Sequence, residues 1–462
     1  MTECQAGTMH EEAAIPTPSK KEQWGDLLRL SWPVMIELAL ASFIGIVTMA
    51  LVSSIGKEAV SAVGITNQPI LIPLVAIQAF SVGGMALVAR AIGMSDHALA
   101  RKACEQTMLL AVIFSLISGA SLYLWGADIV LLMGATPDYF YLAELFMRYS
   151  AVSVVFQSIS STVSSMMRSV GRTRLSMYFN VVANVTNVTL GLILIHGVGP
   201  IPAMGITGAA IAQLVGRIVG CTFALIMLFS ITELPICPTF KDIFKPNAEI
   251  IKRICRVGTG SALEQLTLRV GMIAFTIYVI RLGTAEYAAH NIAVSIHNFV
   301  IIFGQAIGIA LISLVGQNLG SKRPDIAVMY FNTAIKMSIA CSLVIAAPLL
   351  LFPEPIALIF SQNPAVVENI VIALQILSLF TTAQIVNMAI SGGLRGGGDT
   401  RWPLIATMAG VLGMRMILGY ILIIAMGWGI AGAWLCWLLD QVIRAIIIYF
   451  RYRGGKWKLV RV

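Results

Sequence analysis

Apolar runs too long for most soluble helices recur along almost the whole of this chain. A backbone in lipid must satisfy its hydrogen bonds internally, so each such run reads as a membrane-crossing helix. One run ends at Leu343–Phe352 and another holds Val411–Met426. The short alternating segments of a membrane β-barrel are absent. Composition agrees: 11% of the 462 residues are charged, against roughly 25% in soluble chains. Twelve spans are expected, near 27–54, 61–92, 103–125, 142–166, 175–197, 205–231, 254–281, 286–318, 328–352, 366–391, 402–426 and 430–450. The expected fold is an all-α integral membrane protein.

Loop charge gives an orientation. One set of loops carries Lys20, Lys21, Arg29, Arg101, Lys102, Arg168, Arg172, Arg174, Lys241, Lys245, Lys252, Arg253, Arg256, Lys322, Arg323, Arg395, Arg401 and the tail from Arg451. The opposite set carries Lys57 and Arg281. Basic loops mark the cytoplasm, so both termini are expected there, as an even span count requires. The net charge of +9 is then topology, and nucleic acid is not an expected partner. Residues 1–23, with Pro16 and Pro18, lack a signal-peptide pattern and read as a mobile cytoplasmic tail. The seven cysteines show no metal or redox spacing, and no metal or other cofactor is expected.

The chain repeats itself. Leu87–Gly93 matches Leu314–Gly320, an offset of 227 residues (314 minus 87). The same offset pairs Arg168, Gly171, Thr173 and Arg174 with Arg395, Gly398, Thr400 and Arg401. After a short indel, Gly205–Ala210 matches Gly429–Trp434. A period of six helices keeps both halves in one orientation, so a pseudo-twofold along the membrane normal should relate two six-helix lobes. The expected boundaries are 24–232 and 248–452 for the lobes, 233–247 for a cytoplasmic linker with three prolines, and 453–462 for a basic tail.

Three intramembrane polar pairs lie on this offset: Glu37 with Glu264, Gln78 with Gln305, and Gln157 with Gln384. Buried polar groups are costly in lipid unless they find a partner or water. Glu37 falls about ten residues into its span, roughly 15 Å deep, and Glu264 equally so. That depth predicts two midplane carboxylates, suited to proton coupling, to holding Na⁺ or to attracting a cationic substrate. The structural alternative is an ion pair with Arg217, Arg269 or Arg415, although Arg269, five residues after Glu264, lies about 140° around the helix. The glutamines read as cavity lining or as helix–helix hydrogen bonds. Asn180, Asn184 and Asn187 share one helical face, but their mates are Thr407, Val411 and Met414. This stripe points either to a first-lobe site or to interhelical bonding. Pro33, with Gly260 at the matching site, is expected to let its helix bend beside the glutamate, and Pro69 and Pro73 to loosen the second span.

Gly283–Ile292, Leu314–Gly320, Leu394–Arg401, Gly429–Trp434 and Asp440–Gln441 together resemble the multidrug and toxic compound extrusion transporters over nearly the whole chain. The resemblance implies two lobes in an outward-opening V and exchange of external H⁺ or Na⁺ for organic, often cationic, compounds. It also implies departures. A first-span aspartate of that family is Thr48 here, a fifth-span aspartate is Gly191, and a tenth-span aspartate is Gln384. Glu264 matches the family's seventh-span acidic position, so coupling is expected to run through Glu264 with Glu37 as partner.

The expected function is therefore antiport of small organic, cationic and amphipathic molecules by a monomer whose only other partner is membrane lipid. Localisation in the cell membrane follows. A flippase for lipid-linked precursors is the nearest rival and would favour a strongly cationic cavity. A membrane enzyme would need a metal motif, a nucleophile elbow or a P-loop. His290 and His297, seven residues apart, are a weak metal signal alone.

Overall fold

The computed structural model describes residues 17–200, 202–231 and 236–460, and among these it is helical without strands. The first lobe comprises α1 (Lys20–Ser53), α2 (Lys57–Gly93), α3 (His97–Leu124), α4 (Gly126–Leu132), α5 (Pro137–Ser169), α6 (Thr173–His196) and α7 (Gly205–Ser230). A short α8 (Phe240–Ile243) lies in the linker. The second lobe comprises α9 (Ala248–Ile280), α10 (Thr284–Gly320), α11 (Pro324–Leu351), α12 (Pro353–Phe360), α13 (Pro364–Gly396), α14 (Arg401–Met408) and α15 (Gly429–Arg453). Beyond Met408, α14 continues as π-helix over Ala409–Leu418 and Tyr420–Ala425.

Eleven of these helices, taking Arg401–Ala425 as one, are long and apolar enough to cross a membrane. The twelfth crossing is α5, whose 33 residues reach about 50 Å although serines dilute its hydropathy. Several of its hydroxyls donate to carbonyls of the same helix, whereas the buried Ser150 hydroxyl has no partner among the described residues. Ser158 donates to the Val154 carbonyl (2.5 Å), Thr162 to Ser158 (2.9 Å) and Ser169 to Met166 (2.6 Å). The short helices α4 and α12, not expected from the sequence, are repeat mates starting 227 residues apart (353 minus 126). Both expose large apolar side chains, Leu132 and Ile359 among them.

α1 begins earlier than expected because Ser19 and Glu22 form a reciprocal cap. The Ser19 amide donates to Glu22 Oε2 (2.7 Å), and the Glu22 amide to Ser19 Oγ (3.3 Å). The prolines expected to act as hinges lie inside helices. α1 and α2 each run unbroken through their prolines. Gly260 lies in an unbroken α9, where a Cβ would collide with Thr400. Glycine at this position permits that close packing. The linker is likewise held, because Gln106 of α3 accepts from the Asn247 amide (2.9 Å) and donates to the Lys245 carbonyl (2.9 Å). Residues 1–16 and 232–235, parts of the expected tail and linker, lie outside the described residues.

An even number of crossings puts the start of α1 and the end of α15 on one side, called here the terminal face. The lobes meet there. A Cβ on Gly93 would collide with the Gln317 carbonyl, and one on Gly320 with the Arg90 carbonyl. These contacts exchange under the 227-residue offset, so a pseudo-twofold passes between the ends of α2 and α10. Gln317 Nε2 donates to the Ser169 carbonyl (2.8 Å), Tyr330 Oη to Asp26 (2.6 Å), and Thr333 Oγ1 to Gln23 (2.7 Å). Apolar packing also crosses this seam, with Leu27 and Leu30 of α1 in the second-lobe core and Ile250, Ile254 and Ile312 in the first-lobe core.

Candidate functional site

Away from that seam α1 and α10 flank a cleft of about 550 Å³. Leu38, Ser42 and Met49 line it from α1, and Ser295, Asn298, Phe299 and Gln305 from α10. Asn291, Ser295, Asn298 and Gln305 follow at intervals of four, three and seven, so they share one face of α10, and all four are exposed. On α2, Gln78, the mate of Gln305, is exposed too, as are Asn67 and Gln68. Among the described residues no charged side chain lines the cleft. Its chemistry is amide and hydroxyl against aliphatic, aromatic and thioether groups, a lining that holds apolar molecules while a few polar atoms orient them. Gln78 and Gln305 were expected from the sequence, whereas Ser295 and Asn298 were not, although the helical spacing that groups the span-5 asparagines also groups them. Thr48 is half-buried on α1 and is not among the residues lining this cleft.

The two glutamates are not brought together. Glu37 accepts from Arg168 Nη2 (2.6 Å), Ser176 Oγ (2.7 Å) and Asn180 Nδ2 (2.9 Å). Glu264 accepts from Arg395 Nη2 through both carboxylate oxygens (2.7 and 2.8 Å), with Thr407 Oγ1 at 3.4 Å. Arg168 and Arg395 are repeat mates, and so are Asn180 and Thr407. Each lobe thus carries its own copy of one ion pair, and neither carboxylate touches the other. Arg168 and Arg395 sit in the last turns of α5 and α13. Their guanidiniums reach inward from there to Glu37 and Glu264, each of which lies about half-way along its own helix, α1 or α9. The partner expectation failed because arginines beside glycine turns were counted as loop charge. Their recurrence on the repeat offset was the available signal. Arg217 and Arg269 make no salt bridge among the described residues.

The remaining polar residues separate. Asn180 joins the Glu37 network, whereas Asn184 is buried and Asn187 packs against Gly216 of α7. Gln157 is half-buried. Its mate Gln384 is buried and hydrogen-bonded to His297 Nε2 (2.8 Å). Next to this pair lies a second-lobe cluster with no first-lobe counterpart. Arg415 forms a salt bridge with the fully buried Asp440 (2.6 Å), and its guanidinium lies 4.4 Å from the Trp437 ring centroid. Gln441 Nε2 also donates to Asp440 (2.9 Å). The Trp437 ring in turn stands 4.8 Å from His297. His290 and His297 thus belong to an aromatic and hydrogen-bonded core.

A family model, MatE, matches the chain twice, over residues 33–193 and 261–421. The second match begins 228 residues after the first (261 minus 33), in keeping with the duplication. A Thermotoga maritima relative described as a probable multidrug resistance protein, NorM, is 25% identical over 444 residues, covering 96% of this chain and 95% of that one. A Bacillus subtilis relative described as an uncharacterized transporter, YisQ, is 22% identical over 447 residues, 97% of each chain. Among solved structures, an outward-facing multidrug resistance MATE family transporter of the MOP superfamily aligns with TM-score 0.87 at 24% identity, over 95% of this chain and 97% of that one. A MOP superfamily transporter from Pyrococcus furiosus aligns with the same TM-score and identity over 94% and 95%. These structural likenesses establish the fold.

Proposed function

The chain belongs to the MatE family of multidrug efflux transporters, and from that premise we propose that it is an antiporter. It exports small amphipathic organic molecules in exchange for H⁺ or Na⁺ by alternating access. The observation that carries this reading is the uncharged cleft between the lobes, sealed on the terminal face, with Ser295, Asn298 and Gln305 along one wall and Phe299 and Met49 among its apolar lining. On this reading the terminal face is cytoplasmic, because the basic loops lie on it, and the cleft opens outward. A lipid-linked precursor flippase would want cations along the cleft, which this lining does not supply.

Coupling is assigned to Glu264 and Glu37, though not as a shared carboxylate site. Each carboxylate is held by an arginine, so an incoming H⁺ or Na⁺ competes with a guanidinium for it. Arg168 adjoins Ser169, whose carbonyl accepts the interlobe bonds of Gln317 and Ser313. Occupation of the glutamate frees the arginine next to that seam and loosens it, and the lobes can then rock. A substrate cation meets no carboxylate in the cleft itself, so competition between substrate and ion acts through lobe movement.

The test is transport in proteoliposomes with an imposed pH or Na⁺ gradient. Glu264→Gln with Glu37→Gln should abolish gradient-driven accumulation while leaving substrate binding measurable. Full gradient-driven transport by the double variant would overturn the coupling assignment.

A further inference from the structure

Where α14 starts and α15 ends, the outer surface of the second lobe carries a groove of about 390 Å³, lined by Trp402, Ile447, Phe450, Arg451, Gly454 and Lys456. Its apolar wall continues onto the outer face of α15, where Phe450 is 70% exposed and Ile446 and Tyr449 are also open. The charge at its rim is unbalanced. Arg451 Nε donates to Asp399 (2.7 Å) and its guanidinium lies 5.2 Å from the Trp402 ring centroid, so that charge is neutralised. Lys456 and the neighbouring Arg453 are exposed and have no carboxylate partner among the described residues.

Lys456 is not a free tail residue. The chain reverses at Gly455, in the left-handed region at φ +69°, where glycine carries no steric penalty. Trp457 is then fully buried, with its Nε1 donating to the Tyr452 carbonyl (3.0 Å). Arg90 of the first lobe grips the same segment through the Val460 carbonyl (2.8 Å). The backbone at Lys456 is thereby held at one end of the apolar trough.

We propose that this groove binds an anionic phospholipid of the leaflet on the terminal face. The headgroup phosphate sits at Lys456 with Arg453 nearby, and an acyl chain runs along Phe450 and Ile447. Charge complementarity selects the anionic headgroup, since basic pockets between helices on the cytoplasmic side attract such lipids. The apolar wall selects a lipid over a soluble phosphate. The inference is independent of the roles of Glu37 and Glu264.

Native mass spectrometry of the purified full chain with added phosphatidylglycerol or phosphatidylcholine of matched acyl chains tests it. The wild type should retain phosphatidylglycerol selectively. Lys456→Glu with Arg453→Glu should lower that retention by about tenfold, to the level of phosphatidylcholine. A control with the same charge change elsewhere on the terminal face, Lys252→Glu with Lys322→Glu, should behave as wild type. All four side chains are exposed, so folding is not at issue. Equal retention of the two lipids by the wild type, or an equal loss in the control, would overturn the proposal.

Discussion

A carboxylate buried against a guanidinium responds to mutation in a way a free one does not, because removing either partner leaves the other charge stranded. Glu264 is 3% exposed and depends almost wholly on Arg395, since its other contact, Thr407, is at 3.4 Å. Glu37 has Ser176 and Asn180 as well as Arg168. An amide at position 37 can still accept from those neutral donors. Glu264→Gln should therefore destabilise the fold by about 3 kcal/mol, the low end for a broken buried pair because Arg395 keeps 21% side-chain exposure. Glu37→Gln should cost clearly less. Thermal unfolding of the two variants in detergent orders them, and the reverse order would mean that the neutral donors do not support Glu37. Adding Arg395→Met to Glu264→Gln should recover at least half of the lost stability without restoring gradient-driven transport. Recovery of both would reduce Glu264 to a structural counter-ion.

At the level of the helices, α14 departs most from what its sequence suggests. It reads as an ordinary apolar span, yet over Ala409–Leu418 and Tyr420–Ala425 it is widened into π-helix, a rare form found frequently at functional sites. The widened segment holds Arg415 against Asp440, and Gly410 lets the α15 side chains approach. A Cβ there would meet Asp440 Oδ1 and stand 2.8 Å from both Cγ and Cδ of Arg444. Gly410→Ala should cost about 2 kcal/mol as an overpacking change, read as a lowered unfolding midpoint. A neutral outcome would show that the Arg415–Asp440 pair tolerates displacement. The apolar runs made the spans legible, and the offset of identical residues made the duplication legible, because lipid and internal symmetry leave few alternatives. The short helices α4 and α12 were hidden by their length. The partners of Glu37 and Glu264 were hidden for another reason. Long arginine side chains at helix ends reach inward from positions that look like loop, and periodicity places a backbone, not a guanidinium.

For the whole molecule, the conformation rests on an interlobe seam confined to the terminal face. Asp26 with Tyr330 is a charge-assisted bond between α1 and α11, and Gln317 with the Ser169 carbonyl is a neutral one between α10 and α5. Such bonds contribute about 1.5–3 and about 1 kcal/mol. If both exist only while this face is closed, Tyr330→Phe with Gln317→Ala weakens the closed state by about 3 kcal/mol, on the order of 100-fold in the balance between conformations. Ser54 and Arg281 are repeat mates (281 minus 54 is 227) in the turns after α1 and α9, on the opposite face, and both are exposed. Spin labels at these two sites report whether the lobes approach each other there as the terminal face opens. The double variant should enlarge the short-distance population, and the labelled wild type should keep the long distance. An unchanged distance distribution in a folded double variant would place the hold on this conformation in the apolar packing of Leu27, Leu30, Ile250 and Ile254 across the seam. The arginine-adjacent hydrogen bonds would then lose their place as the release point for ion coupling.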